Sequence, residues 1–211
     1  MNEILEKIKK YSVPLEKKAE LHNIDTEVVP NESLLSKFEE EAIKSGSRVF
    51  ICENQDDAVK AINKILAGYS SVIISSLVPN SIAEKFKSES LQNIFSVLDI
   101  KDDFKNKLSE IDVSISVPEF IIAETGTAVI RSSDDEPRML SLLPKISIMF
   151  AKKEHVIESM SNFLNISKNR IEEFNKTSAY IFITGPSRTA DIEKILVIGV
   201  HGPEELFFVL Y

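Results

Sequence analysis

A polar segment near the carboxyl terminus combines the residue types that bind anions. It runs Thr184-Gly185-Pro186-Ser187-Arg188-Thr189-Ala190-Asp191-Ile192-Glu193, after an apolar strand and before a predicted helix. A helix N-terminus offers unpaired N–H groups, Ser187 and Thr189 add hydroxyls, and Arg188 adds a planar guanidinium suited to carboxylate or phosphate. The segment therefore predicts an anion pocket. It also fits a plain helix cap, in which Asp191 and Glu193 favour the helix dipole.

A histidine between two glycines forms a second candidate site. His201 stands in Gly199-Val200-His201-Gly202-Pro203, directly after an apolar run. At neutral pH an imidazole can act as acid, base or hydrogen-bond donor, and Gly202 leaves room for a ligand to approach. The alternative is a turn histidine bonded to backbone. Three scattered histidines and one cysteine form no metal-binding signature, so we expect no metal site.

A carboxylate inside an apolar pattern marks the third candidate. Glu124 stands in Ala123-Glu124-Thr125-Gly126-Thr127-Ala128, where it could be a base, a nucleophile or a substrate clamp. The same pattern fits a hairpin in which Glu124 faces solvent and Gly126 makes the turn. Downstream, Arg138 precedes Met139-Leu140-Ser141-Leu142-Leu143-Pro144 at a predicted helix start, where it fits an anion ligand or a surface ion pair.

Alternating strand and helix patterns must position these residues. Apolar strands are predicted at 48–52, 71–75, 112–117, 146–151, 180–184 and 206–210. Helices are predicted at 34–43, 56–66, 80–87, 89–97, 104–108, 154–164, 168–174 and 190–196. This alternation indicates an α/β fold with a mostly parallel sheet covered by helices. We expect residues 1–30 to form a helical extension and 31–211 the α/β domain, with Leu206–Tyr211 as an exposed edge strand that could pair with another subunit.

Composition excludes several classes of protein. The 211 residues carry a net charge of −8, which argues against a nucleic-acid binder. No apolar run approaches the length of a membrane span and no signal peptide is visible, so we expect a cytoplasmic protein. Cys52 is the single cysteine, which excludes an internal disulfide and a cluster ligated by several thiolates of this chain. Its apolar surroundings indicate a buried, unreactive thiol.

Four motifs together resemble the lactate-utilisation protein C group of the LUD-domain family. They are Ala123-Glu124-Thr125-Gly126-Thr127, Leu140-Ser141-Leu142-Leu143-Pro144, Thr184 to Glu193, and Gly199-Val200-His201-Gly202-Pro203. They span about residues 112–211, and their order and spacing match as well. The segment 131–136 departs from the family pattern, because acidic residues replace glycines and basic residues. This departure argues against an anion contact from that loop.

The resemblance implies a Rossmann-like layered fold similar to the sugar-phosphate isomerase and CoA-transferase superfamily. It also implies a role in oxidising L-lactate to pyruvate beside partner proteins that carry iron–sulfur centres, with no cofactor in this chain. Carried over by motif, Glu124 and His201 are the predicted catalytic residues. The predicted substrate-binding residues are Thr125, Gly126, Thr127, Arg138, Ser141, Ser187, Arg188, Thr189, Asp191, Glu193 and Gly202.

Two other functions fit the same residues. A free-standing isomerase or acyl/CoA-transferase-like enzyme would use Glu124 as base or nucleophile and would turn over without partners. A non-catalytic assembly module would use the motifs to hold the fold together. Substitution of its motif residues would then lower stability while an assembled complex kept its activity.

Overall fold

The structure is a computed structural model that describes residues 32–100, 102–192, 195–199 and 201–211. Its helices are α1 (Glu32–Lys44), α2 (Gln55–Leu66), α3 (Asn80–Ala83), α4 (Phe104–Glu110), α5 (Met160–Asn169) and α6 (Ile171–Lys176). Its strands are β1 (Arg48–Ile51), β2 (Ser71–Ile74), β3 (Asn93–Ser96), β4 (Val113–Ser116), β5 (Phe120–Ile122), β6 (Thr127–Arg131), β7 (Ile146–Ala151), β8 (Val156–Ile157), β9 (Tyr180–Ile183), β10 (Arg188–Ile192), β11 (Ile195–Ile198) and β12 (Glu205–Leu210). The predicted extension 1–30 lies outside the described residues, and the division into 1–30 and 31–211 stays a prediction.

A six-stranded parallel sheet forms the centre of the fold. Its order is β1-β12-β7-β4-β2-β3, and every pairing in it is parallel. The side chains of β2, β4 and β7 are buried throughout, as expected for strands covered on both faces. The predicted α/β class with a mostly parallel sheet is therefore confirmed.

A second sheet and two helices complete the layers that concern the site. The order β8-β5-β6-β9 includes a β5–β6 hairpin, and β9 pairs antiparallel with β6. Helix α1 packs between this sheet and the central one, with Phe38 edge-on to Phe208 of β12. Helix α2 is capped by the Asn54 side chain and buries its apolar face on the opposite side of the central sheet.

Four elements differ from the sequence predictions. The predicted edge strand is wrong, because β12 pairs on both sides and lies between β1 and β7. The helix predicted at 89–97 is instead β3, whose Ile94 and Phe95 pair with β2. The helix predicted at 154–164 begins only at Met160, where Ser159 caps it. The helix predicted at 190–196 is replaced by the antiparallel β10–β11 hairpin, in which cross-strand pairing overrides a short helical pattern.

No helix among the described ranges is both long and apolar enough to cross a bilayer.

Candidate functional site

The β5–β6 turn packs backbone against backbone on the last turn of α1. Gly126 has φ +62°, and a Cβ there would lie 2.6 Å from the Cα of Ala42. Only glycine fits such a contact at a positive φ. The motif Glu124-Thr125-Gly126-Thr127 therefore fixes where α1 ends relative to the second sheet.

The loop after β9 holds the same helix end. Gly185 has φ +78°, and a Cβ there would overlap the carbonyl oxygen of Ser45. The Arg188 guanidinium donates from Nη2 to that carbonyl over 2.6 Å. A cation at a helix C-terminus pairs with the unpaired carbonyls and the negative end of the dipole. In this structure Arg188 thus acts as a cap for α1.

A chain of hydroxyls ties these two segments together. The Oγ1 atoms of Thr125 and Thr127 lie 2.6 Å apart, and those of Thr127 and Thr184 lie 2.7 Å apart. Thr127 is buried, whereas Thr125 is exposed. The β5–β6 turn and the end of β9 therefore form one hydrogen-bonded unit around the C-terminus of α1.

The remaining predicted residues fall into two places. The side chains of Glu124 and His201 are exposed, in a turn and a bend. The Ser187 N–H donates to Pro203 O over 2.8 Å, and a Cβ on Gly202 would lie 3.2 Å from the Ser187 Cβ. Gly202 and Pro203 therefore lie against Ser187, directly before β10.

The turn at 138–142 approaches this region from another side. A Cβ on Gly202 would lie 3.9 Å from Leu142 O. Ser141 is buried, and its hydroxyl has no partner among the described residues, while Arg138 is exposed in a turn rather than at a helix start. Thr189 pairs in register with Val197, Asp191 contributes its backbone to β10, and Glu193 lies outside the described residues.

The setting predicted for the anion pocket differs from the one observed. The segment after β9 opens a β-hairpin, so no helix N-terminus faces it. Strand β9 belongs to the second sheet and runs antiparallel to β6, so its end is not the carboxyl edge of the parallel sheet. The ligand roles of the motif residues stay predictions, and three of these residues, Gly126, Gly185 and Arg188, have a structural role.

The connections of the central sheet place a crevice elsewhere. Strands β2 and β4 are neighbours, yet the chain leaves β2 toward β3 on one side and leaves β4 toward β7 on the other. In open parallel sheets, ligands bind outside the carboxyl ends of strands where the connections diverge in this way. Here that switch point lies between the residues following Ile74 and those following Ser116.

A cleft of about 570 Å³ opens at this switch point. The residues that line it are Leu77, Val117, Pro118, Glu119, Phe120, Arg131, Ser133, Asp135, Glu154, His155 and Arg170. We call it the switch-point cleft. Its volume is within the range of small-molecule sites.

Two arginines share one carboxylate in the switch-point cleft. Arg131 Nε lies 3.2 Å from Glu119 Oε2, and Arg170 Nη1 lies 3.9 Å from Glu119 Oε1. Each guanidinium meets Glu119 through a single nitrogen, which leaves other N–H groups available to a ligand. Burial raises the pKa of Glu119, although Arg131 and Arg170 oppose this effect.

The histidine of the switch-point cleft has a defined tautomer when neutral. His155 Nδ1 lies 3.1 Å from Pro118 O. A carbonyl only accepts, so Nδ1 carries the proton and Nε2 is left as an acceptor. Asp135 and Glu154 also line the cleft, so its two arginines face three carboxylates. An organic acid would therefore bind at the guanidinium N–H groups that Glu119 leaves free, and the imidazole acceptor can accept a proton from its hydroxyl.

A fully buried carboxyl, that of Glu136, lies beside the carboxyl end of β4. Glu136 Oε2 accepts from the Val117 N–H over 3.0 Å, while Oε1 has no partner among the described residues. Burial raises the pKa of Glu136 to about 7, against the opposing effect of the Ser75 hydroxyl, the Val117 N–H and the Ser116 hydroxyl. The sequence shows Glu136 only as the last of an acidic run, and nothing in that run distinguishes it from its exposed neighbours.

Comparison with known proteins identifies the family. The LUD domain family model matches residues 35–211. Lactate utilization protein C of Oceanobacillus iheyensis is 35% identical over 100 residues, covering 47% of this chain and 43% of that protein. Lactate utilization protein C of Bacillus subtilis is 38% identical over 105 residues, covering 49% and 44%. The matched stretch thus spans less than half the length of these relatives.

A solved structure supports the same fold. The crystal structure of a DUF162 family protein from Deinococcus radiodurans superposes with a TM-score of 0.64 at 18% identity, covering 84% of this chain and 96% of that chain. At this identity the likeness concerns the fold alone. With the family match over most of the chain, it confirms the resemblance predicted from the motifs: the chain belongs to the LUD domain family.

Proposed function

We propose that this chain is a component of an L-lactate-oxidising system and that the switch-point cleft binds the small carboxylate. The observation that carries the binding site is the pair of guanidiniums, Arg131 and Arg170, at the point where a parallel sheet places its ligands. Membership of the LUD family and relatives named for lactate utilisation support the process.

The arrangement suits a 2-hydroxy acid. The free N–H groups of the arginines would hold the carboxylate, and Nε2 of His155 or the Glu119 carboxylate would accept the hydroxyl proton. Oxidation of lactate to pyruvate also breaks the Cα–H bond, so that two protons and two electrons leave in total. The second of these two side chains would accept the Cα proton, and we assign the two electrons to iron–sulfur centres in partner proteins. Cys52 is the single cysteine of the sequence and is buried, and burial raises the pKa of its thiol. This supports a division of labour in which the chain itself carries no cluster.

Binding of L-lactate to purified variants tests the site. Arg131→Ala and Arg170→Ala should each weaken L-lactate binding about tenfold or more, since charge-assisted hydrogen bonds contribute roughly 1.5–3 kcal/mol. Arg48→Ala is the matched control, because its guanidinium pairs with Glu205 at the start of β12. Unchanged titrations for both cleft variants would refute the cleft as the site. Growth of a complemented deletion strain on L-lactate as the sole carbon source tests the process independently.

The predicted motif pocket is tested in the same series. It would bind the anion through Arg188, with Glu124 and His201 as the catalytic groups, and Arg188→Ala would then be the variant that loses lactate binding. Since Arg188 also caps α1, the thermal stability of the Arg188→Ala variant must be measured together with its affinity for L-lactate.

A specific observation favours a structural role for the motifs. Gly126, Gly185 and Arg188 all contact the C-terminus of α1. A purely structural module predicts that substitutions there lower stability while L-lactate binding by the remaining folded protein is retained. Isomerase or acyl/CoA-transferase turnover by the isolated chain, without partner proteins, would instead support a free-standing enzyme with Glu124 as base or nucleophile.

A further inference from the structure

A second cavity lies on the other side of the loop that covers the switch point. It has a volume of about 530 Å³ and opens at the carboxyl ends of β2 and β3. Asp135 lines both this cavity and the switch-point cleft. We call it the β2–β3 cavity, and neither the family assignment nor the proposed function uses it.

One wall of the β2–β3 cavity is apolar and unusually open to solvent. Ile94 is 51% exposed and Leu98 is 59% exposed, and the half-buried Phe95 ring lies between them in the chain. Large aliphatic side chains exposed within a concave surface are typical of a site whose ligand covers them. A flat ring would fit against this wall.

The opposite wall carries hydrogen-bonding groups held in place by the backbone. The Asp135 carbonyl accepts from the Ser76 N–H over 3.2 Å and from the Ser75 hydroxyl over 3.1 Å. These bonds fix the backbone of Asp135 on the end of β2. Among the described residues, nothing donates to the Asp135 carboxylate. A carboxylate that is carried on a fixed backbone and has no donor among the described residues can accept two hydrogen bonds from neighbouring hydroxyls, as acidic residues do with a ribose diol.

The charge of the cavity restricts the ligand further. Glu84, Asp99 and Asp135 line it, against a single cation, Lys87. Asp99 is engaged by the Ser96 N–H at 2.7 Å, whereas Asp135 stays available. An excess of carboxylates opposes a phosphate or a second organic acid at this place. It favours an uncharged group that donates hydrogen bonds.

We propose that the β2–β3 cavity binds a ribonucleoside moiety, with its ring on Ile94 and Leu98 and its ribose diol on the Asp135 carboxylate. The vicinal diol meets a carboxylate whose backbone is held at the end of β2 and to which no described residue donates, and the ring covers the exposed aliphatic wall. This places an uncharged ligand beside the organic acid of the switch-point cleft, on the other side of the same loop. The inference does not depend on lactate being that acid.

Calorimetric titration of the full chain with adenosine, 2′-deoxyadenosine and AMP tests the proposal. Adenosine should bind, 2′-deoxyadenosine should bind at least tenfold more weakly because one hydroxyl is missing, and AMP should bind more weakly because of its phosphate. Equal affinity for adenosine and 2′-deoxyadenosine, or no binding of adenosine, would overturn the proposal.

Two variants and a matched control locate the binding. Asp135→Asn should lose at least tenfold in adenosine affinity, and Leu98→Ser should also weaken it; both positions are accessible to solvent, so both variants should fold. Asp134→Asn removes the adjacent carboxylate, which does not line the cavity, and should bind adenosine like the wild type. If Asp135→Asn retains wild-type affinity, the assignment is wrong. L-lactate titrations of Leu98→Ser separate this result from the proposed function, since lactate binding should be unchanged there.

Discussion

Replacing Gly126 by alanine tests whether the backbone of the β5–β6 turn packs directly against the backbone of α1. The residue has φ +62°, where a side chain costs about 1–2 kcal/mol. The new Cβ would also lie 2.6 Å from Ala42 Cα and 2.7 Å from the Glu41 carbonyl carbon. These are backbone atoms that cannot move aside singly, so we add about 1–3 kcal/mol for overpacking. The total is roughly 2–5 kcal/mol, or about 4–20 °C in Tm for a chain of this size.

The assay is thermal unfolding followed by circular dichroism, with Gly68→Ala as the control. A Cβ at Gly68 meets nothing within 4 Å, and its φ is not in the positive region. We expect Gly68→Ala to stay within about 2 °C of the wild type, in line with the small effect of unstrained surface changes. A Gly126→Ala variant that melts with the wild type would show that the turn does not pack on α1, and the structural role of the motif would be refuted.

Two further substitutions probe carboxylates by their pH dependence. Because the folded pKa of Glu136, about 7, exceeds its unfolded value, its ionisation lowers the unfolding free energy as pH rises from about 4.5 to 7. Glu136→Gln should abolish this loss of roughly 3 kcal/mol and be more stable than wild type at pH 8 by urea denaturation; equal pH profiles would contradict the assignment. At Asp112, burial raises the pKa, but hydrogen bonds from the hydroxyls and N–H groups of Ser70 and Ser71 outweigh it and lower the pKa. Its stabilisation is therefore present at neutral pH and lost as pH falls through the folded pKa, so Asp112→Asn should cost about 1 kcal/mol at pH 7 by urea denaturation and progressively less as the pH falls below the ordinary range of an aspartate.

Five of the six strands of the parallel sheet could be predicted because they are short runs rich in apolar residues. The segments around Ser71–Ile74 and Ile146–Ala151 alternate with amphipathic helices, and both lie where the sequence places them. The hairpin with Gly126 at its turn was one of the two alternatives for its motif, and the structure has that hairpin with Gly126 at a positive φ. Gly185 also adopts a positive φ. The sequence could not show which atoms the two glycines approach. Gly126 approaches the backbone of Ala42 in α1, and Gly185 approaches the carbonyl oxygen of Ser45, directly after α1.

For two short segments, the hydrophobic spacing predicts helices where the structure has strands. Ile192, Ile195 and Leu196 follow a helical spacing, but the chain forms β10 and β11, and pairing between those strands decides the outcome. Residues 93–96 likewise become β3 because β2 offers a parallel edge to pair with. Local patterns of four or five residues fit both periods, so tertiary pairing determines the structure.

The sequence motifs do not indicate the switch-point cleft, for a different physical reason. Glu119 and Arg131 flank the β5–β6 hairpin, and His155 precedes β8, which pairs with β5. Arg170 comes from the junction of α5 and α6. Strand pairing and helix placement bring these residues together, and neither can be read from a local spacing rule. A motif marks residues that are close in sequence, and here Gly126, Gly185 and Arg188 contact the end of α1.

This separation has a consequence for interpreting mutations in the family motifs. Loss of function on changing Gly126, Gly185 or Arg188 follows from displacement of α1 as readily as from loss of a ligand contact, because each of them touches that helix. The arginines of the switch-point cleft differ, since the side chains of Arg131 and Arg170 are about half exposed. Under the proposed function, we expect their removal to change L-lactate affinity more than folding. Stability measured beside affinity therefore separates the two regions, and only a variant that loses affinity at unchanged stability locates the ligand.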